Sequence, residues 1–143
     1  MITMITDRIG IGNSSDAKQI GSAFESVLNT ALDLDIAPTQ GNVHRHKVGL
    51  IDGPGNDDYI LMSAVLVLHA LNKRYRRVLV HCHEGMSRSV MVVAVYVSII
   101  GNMPFDKVLQ DVMKVRGVTD YRPALYNQYK NMILQLTNLI KNH

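Results

Sequence analysis

The sequence predicts an α/β fold, a central mixed sheet of four to five strands flanked by helices on both faces, with a helical C-terminal part. Three observations carry this expectation. Apolar runs of strand length alternate with helical patterns as far as residue 81. Beyond residue 88, three apolar-periodic segments follow one another with only short turns between them. Between these two regions lies one polar loop, His81-Cys82-His83-Glu84-Gly85-Met86-Ser87-Arg88-Ser89, which joins a buried strand to a buried helix.

The elements read in order as follows. Residues Ile2 to Ile5 and Arg8 to Gly12 form two short strands. Asn13-Ser14-Ser15-Asp16 is a helix-start signal, and the helix it opens runs to about Ala23. Ser26 to Ala31 is a strand with one odd polar residue, Asn29, inside it. His46 to Ile51 is another, and it ends in a loop dense in turn residues, Asp52-Gly53-Pro54-Gly55-Asn56-Asp57-Asp58. Before it, Asn42 to Lys47 is basic and reads as a solvated turn, with contact to a phosphorylated substrate as the other reading. Asp58 to Arg74 is a mostly buried helix whose basic end suits its dipole. Arg77 to His81 is the strand that leads into the loop. Three helices complete the chain: Ser89 to Gly101, Pro104 to Arg116 stopped by Gly117, and Arg122 to Lys141.

The 143 residues are the length of one domain, able to bury a core without disulfides or metals. The single cysteine has no internal partner, which points to a reducing compartment, the cytoplasm or the nucleus. The N-terminus lacks the pattern of a secretory signal, and no apolar run reaches membrane-spanning length. A net charge of +3 suits anionic ligands but is too weak to indicate nucleic-acid binding. Neither nucleic acid nor membrane is therefore expected as a partner, and a monomer is the default state.

The loop is where chemistry is expected. Cys82 ends a strand, and Arg88 follows six residues later at the start of a helix. A thiol becomes a nucleophile where local positive potential favours its thiolate. Gly85 permits a turn whose N–H groups point inward, the helix adds its N-terminal dipole, and Arg88 adds a permanent charge. Cys82 is thus expected to be largely thiolate at neutral pH. The same donors, from His83, Glu84, Gly85, Met86, Ser87 and Arg88, suit the oxygens of a phosphoryl group. Asp52 is the candidate general acid, because it ends a strand and opens a Gly-Pro-Gly loop that could carry it over the cradle. Asp57 and Asp58 compete for that role but stand where a helix N-terminus would use them as caps. Ser89 is placed to stabilise the leaving thiolate, and His81 to orient the loop. His81 and His83 share a strand face, but no third metal ligand accompanies them, so no metal or other cofactor is expected.

The string His81-Cys82-x-x-Gly85-x-Ser87-Arg88-Ser89 resembles the cysteine-dependent protein tyrosine phosphatase superfamily, and within it the small, atypical dual-specificity phosphatases. Further pieces lie in the family's order: Ile9 to Asn13, Asp16-Ala17, Val27 to Thr30, and, more weakly, Arg116 and Pro123. The resemblance implies metal-free hydrolysis of a phosphorylated protein through a phosphocysteine intermediate. It implies that Asp52, thirty residues before the nucleophile, is the general acid, and that Asn29 braces the phosphate loop. Val90 stands where many members have proline. His83 and Glu84 stand where phosphoinositide-directed members carry basic residues.

Two alternatives accompany this reading. One keeps the mechanism but changes the substrate to an RNA 5′-triphosphate, a phosphoglycan or a phosphoinositide. The other is a pseudo-enzyme that binds phosphoproteins without turnover, against which the intact Cys82, Arg88 and Asp52 argue. Rhodanese-like sulfur transfer also uses a cysteine loop, but gives no reason for Ser87-Arg88-Ser89 with an upstream acid.

Overall fold

A computed structural model describes residues 1–20, 23–35 and 43–142. Its elements are β1 (Thr3–Met4), β2 (Ile9–Gly12), α1 (Ser14–Lys18), β3 (Ser26–Ala31), β4 (His44–Leu50), α2 (Asp58–Arg74), β5 (Val78–His81), α3 (Arg88–Ile100), α4 (Phe105–Arg116) and α5 (Pro123–Lys141). The strands form one mixed sheet in the order β1-β2-β5-β3-β4. β1 pairs antiparallel with β2, and the other neighbours are parallel.

This topology positions the loop. β5 is the last strand in the chain but lies between β2 and β3, its four residues buried on both faces. Fully apolar Val78-Leu79-Val80 suits a central parallel strand covered on both sides. Successive side chains of a strand point to opposite faces. Val78 and Val80 accordingly enter the main core with Leu28, while Leu79 and Val27 enter a smaller one with Ala17, Ile20 and Phe24. Helices α2 and α3 pack on the first face, with α4 and α5 packed against them. The second carries α1, so the helical cover is very unequal.

α3 is apolar almost all round and is the central helix, packed by α2, α4 and α5. Its valines 90, 92, 93 and 95 are essentially inaccessible to water. Each such side chain contributes about 1.5–3 kcal/mol of burial. That anchorage makes the start of α3, where Arg88 and Ser89 lie, a rigid platform. Gly117 ends α4 in the left-handed conformation at φ 81°, as its place after the last periodic residue suggests.

Two sequence expectations need correction. The helix opened by Asn13 stops at Lys18 instead of continuing to Ala23. Asn13 and Asp16 form a capping box, but the chain then turns so that Ile20 and Phe24 can fill the smaller core. Residues 21 and 22 of the expected helix lie outside the described residues. The basic stretch from His44 to Lys47, read as a turn, is the first half of β4. β4 is an edge strand, where charged side chains are at home because they discourage pairing with another chain. Asn42 of that stretch also lies outside the described residues, and β4 ends at Leu50, leaving Ile51 in the following loop. Among the described residues, no helix is long and apolar enough to cross a membrane.

Candidate active site

The sheet delivers Cys82 to the C-terminal end of its central strand, beside the end of β2, where ligands bind in open α/β sheets. From there to Arg88 the chain makes a tight loop that turns on Gly85, at φ 70°. A Cβ at Gly85 would come within 2.4 Å of the Gly12 carbonyl oxygen and 2.6 Å of Arg116 Nη2, so glycine is needed for space as well as for backbone angle. Arg116, at the end of α4, clamps the loop from behind. Its Nε donates to the Gly85 carbonyl at 2.9 Å and its Nη2 to that of Glu84 at 3.3 Å. Its Nη1 reaches Thr3 Oγ1, the Ile11 carbonyl and the Met1 carbonyl. Ser14 N–H donates to the His83 carbonyl at 2.9 Å, tying the loop to α1 as well.

The Cys82 sulfur lies at the floor of this loop, the residue only 3% exposed. Burial pushes its pKa up, but the Ser89 hydroxyl, at 3.3 Å, and the N–H groups of Ser89, Ser87 and Gly85 pull it down further. The net direction is below that of an ordinary thiol, which favours the thiolate. Burial lowers the pKa of His81 and keeps it neutral. Its Nδ1 lies 3.1 Å from the Cys82 carbonyl oxygen, which can only accept, so Nδ1 carries the proton. Buried Thr30 donates to the His81 carbonyl at 2.9 Å. The ring and the carbonyl of His81 are thus both engaged in hydrogen bonds at the root of the loop.

Arg88 is 5% exposed. Its Nη1 donates to Asp33 Oδ1 at 2.8 Å and to the Leu50 carbonyl at 2.9 Å. Its Nε is buried and has no protein partner among the described residues, which leaves that edge of the guanidinium for a ligand's oxygens. The hydrogen bond from Arg88 holds the Asp33 carboxyl below the usual range. The other oxygen of Asp33 lies 3.2 Å from Nε2 of His83. Asn29, which the resemblance implies as a brace for the phosphate loop, makes its side-chain hydrogen bonds within its own turn and not to the loop. Its amide donates to the Leu34 carbonyl at 2.7 Å and accepts from Ala31 N–H at 2.8 Å, so it shapes the turn that presents Asp33.

Asp52 stands over the loop. Its Oδ1 accepts from the Ser87 hydroxyl at 2.8 Å and its Oδ2 from Arg122 Nε at 3.3 Å. The Asn56 side chain fixes the approach through the backbone of Ile51 and Gly53. The two competitors are engaged elsewhere. Asp57 caps α2 through Tyr59 N–H at 2.8 Å, and Asp58 accepts from Gln128 at 2.7 Å. Asp52, Cys82, Met86, Arg88, Tyr121 and Arg122 line one open cleft of about 310 Å³.

Sequence reasoning identifies Cys82, Arg88, Ser89 and Asp52, and the structure brings them together. It misses Asp33, Thr30, Tyr121 and Arg122. A basic residue ending α4 is readable as a dipole partner, but nothing local marks Arg116 as a clamp on a loop thirty-one residues away.

No family model and no curated protein matches this chain. Solved structures do. The crystal structure of DUSP15 superposes with a TM-score of 0.84 at 17% identity, covering 99% of this chain and 96% of that one. Human DUSP28 gives 0.79 at 19% identity, covering 97% and 99%. PTPMT1 in complex with PI(5)P gives 0.75 at 19% identity, covering 96% and 97%. The chain has the fold of the small dual-specificity phosphatases, with Cys82 at the end of its central strand.

Proposed function

We propose that the protein is a phosphomonoester hydrolase, a dual-specificity protein phosphatase that works through a phosphocysteine intermediate. The observation that carries this is the facing of Asp52 and Cys82 across one cleft, each tied to a serine of the same loop, Ser87 and Ser89. In the first step the Cys82 thiolate attacks phosphorus, the ester P–O bond breaks, and Asp52 gives its proton to the departing oxygen. In the second, water attacks the phosphocysteine and Asp52 takes the water's proton. The S–P bond then breaks, and the Ser89 hydroxyl stabilises the thiolate that leaves. Loop N–H groups and the free edge of Arg88 hold the phosphoryl oxygens throughout.

A protein substrate is supported by the rim of the cleft, where Glu84 and Asp120 stand among the cations. A polyanion such as an RNA 5′-triphosphate or a multiply phosphorylated lipid would meet those carboxylates at close range. The test is hydrolysis of p-nitrophenyl phosphate in EDTA by the wild type and by Cys82→Ser. Loss of turnover in the variant is expected, and turnover that survives it would overturn the mechanism. Phosphotyrosine and phosphothreonine peptides, a phosphoinositide and an RNA 5′-triphosphate, assayed side by side, then decide the substrate. Faster hydrolysis of either non-protein substrate would overturn the protein assignment.

A further inference from the structure

Among the described residues, Met86 and Tyr121 are the exposed large apolar side chains that line the active cleft, at 47% and 40% exposure. Their places differ. Met86 is on the phosphate loop itself. Tyr121 immediately precedes Arg122, whose guanidinium reaches Asp52. Tyr121 and Asp52 line the same cleft, so the group attached to an oxygen that Asp52 protonates shares that cleft with the ring.

The Tyr121 ring is braced. It lies against Tyr126, centroids 5.0 Å apart and tilted by 44°. Tyr126 in turn stacks on buried Phe105 at 5.7 Å and 19°. The Tyr126 hydroxyl donates to Asp106, and Lys130 donates to that hydroxyl at 2.9 Å while its ammonium sits 5.3 Å over the ring. A column of three rings thus runs from the start of α4 to the mouth of the cleft, its middle member held by an ion pair. Tyr121 lines the active cleft on one side and a neighbouring cleft of about 440 Å³ as well, so its ring forms part of the wall between them. A ring fixed in this way makes aromatic contacts at small entropic cost.

We infer that Tyr121 is a specificity-determining residue, an aromatic wall that favours aryl over alkyl leaving groups, so that phosphotyrosine is preferred to phosphothreonine. Met86 adds a polarizable thioether to the same mouth, which also suits an aromatic ring. This inference rests on the phosphatase reading above, and the tests fail separately. If neither phosphopeptide is hydrolysed, that reading fails.

The experiment compares kcat/KM on two peptides that differ only in phosphotyrosine or phosphothreonine, for wild type, Tyr121→Leu and Tyr121→Phe. Leucine keeps apolar bulk and removes the ring. The selectivity ratio is expected to fall roughly three- to tenfold in Tyr121→Leu, the size of one aromatic pair, and to persist in Tyr121→Phe. A general loosening of the α4–α5 connection would lower both substrates together and leave the ratio in place, and that result overturns the assignment. Binding gives a readout without turnover. Calorimetry on Cys82→Ser, with and without Tyr121→Leu, should show phenyl phosphate losing affinity relative to butyl phosphate when the ring is removed. An unchanged relative affinity also overturns it.

Discussion

Asp33 and Arg88 meet at 2.8 Å, a carboxylate 65% exposed against a guanidinium that is almost wholly buried. The contact joins the turn after β3 to the first residue of α3, fifty-five positions apart. It occupies one edge of the Arg88 guanidinium. Nη1 is used by Asp33 and the Leu50 carbonyl, and Nε has no protein acceptor among the described residues. Asp33 also holds His83, so one exposed carboxylate arranges two members of the loop.

Asp33→Ala should therefore reduce phosphatase turnover without touching substrate. Arg88 would keep the Leu50 carbonyl but lose the partner that sets its rotation. If Arg88 holds the phosphoryl oxygens as proposed, inhibition by vanadate or phosphate should weaken severalfold. Asp33→Asn, which can still accept the hydrogen bond, should retain more of both properties. Equal effects of the two substitutions would mean that charge, and not orientation, is what Asp33 supplies.

Gly85 and Gly117 both hold positive φ, and comparing them isolates the site's own constraint. Replacing either with alanine carries a left-handed backbone cost of about 1–2 kcal/mol. At Gly117 the added methyl meets nothing within 4 Å, whereas at Gly85 it strikes the Gly12 carbonyl and Arg116. Chemical denaturation should show Gly85→Ala as the more destabilised. Its turnover should fall on the order of a hundredfold, since the loop can relieve the clash only by moving its donors.

Arg116 is the other half of that fit. Arg116→Lys keeps a charge but cannot span carbonyls of the loop, β2 and the N-terminus at once. A loss of about 1 kcal/mol in denaturant unfolding is expected from the part-buried acceptors that lose their partner. Turnover should drop further than stability alone explains, because Gly85 and Glu84 lose their tether. If turnover per folded molecule is unchanged, the clamp serves the fold only.

What the sequence makes legible here is local, and what it hides is long-range. The strand, loop and helix around Cys82 are readable because hydrophobic period, glycine and the cysteine-to-arginine spacing all fall within twenty residues. Asp52 is readable because strand ends and turn residues are local signals, and Asp57 and Asp58 declare themselves as a helix start in the same way. Asp33 has no such mark. It sits in Leu32-Asp33-Leu34-Asp35, where Asp35 looks equivalent, yet Asp35 pairs with Lys47 on the edge strand while Asp33 reaches Arg88. Only the insertion of β5 between β2 and β3 brings the two elements together. Tyr121 is hidden for the opposite reason. Its neighbours are close in sequence, but the direction of a ring at a loop mouth is set by packing on Tyr126, and periodicity says nothing of it.

Asp52 should matter in proportion to how poor the leaving group is. Nitrophenolate departs readily without a proton, whereas the phenolate of a tyrosine and the alkoxide of a threonine need one increasingly. Asp52→Ala should thus lower kcat least on p-nitrophenyl phosphate and most on a phosphothreonine peptide, with KM little changed. A loss equal on all three substrates would assign Asp52 to holding the loop through Ser87 instead.

The ionisation of Cys82 offers the most direct test of the loop's electrostatics. Its folded pKa is depressed because burial, which raises it, is outweighed by the Ser89 hydroxyl and three loop N–H groups. A depressed acid stabilises the fold above its unfolded value, and the gain is lost as pH falls through the folded value. The stability of wild type relative to Cys82→Ser should accordingly rise with pH across the window between the folded pKa and that of an ordinary thiol. Iodoacetamide labelling should show a midpoint below the ordinary thiol range in wild type. Ser89→Ala removes the strongest of the lowering contacts, so its midpoint should move up. The same substitution should slow breakdown of the phosphocysteine, because the departing sulfur loses its donor, and acid-quenched enzyme should then carry more covalent phosphate. A raised midpoint without accumulation would separate the two roles, leaving Ser89 to prepare the nucleophile while the loop N–H groups alone release it.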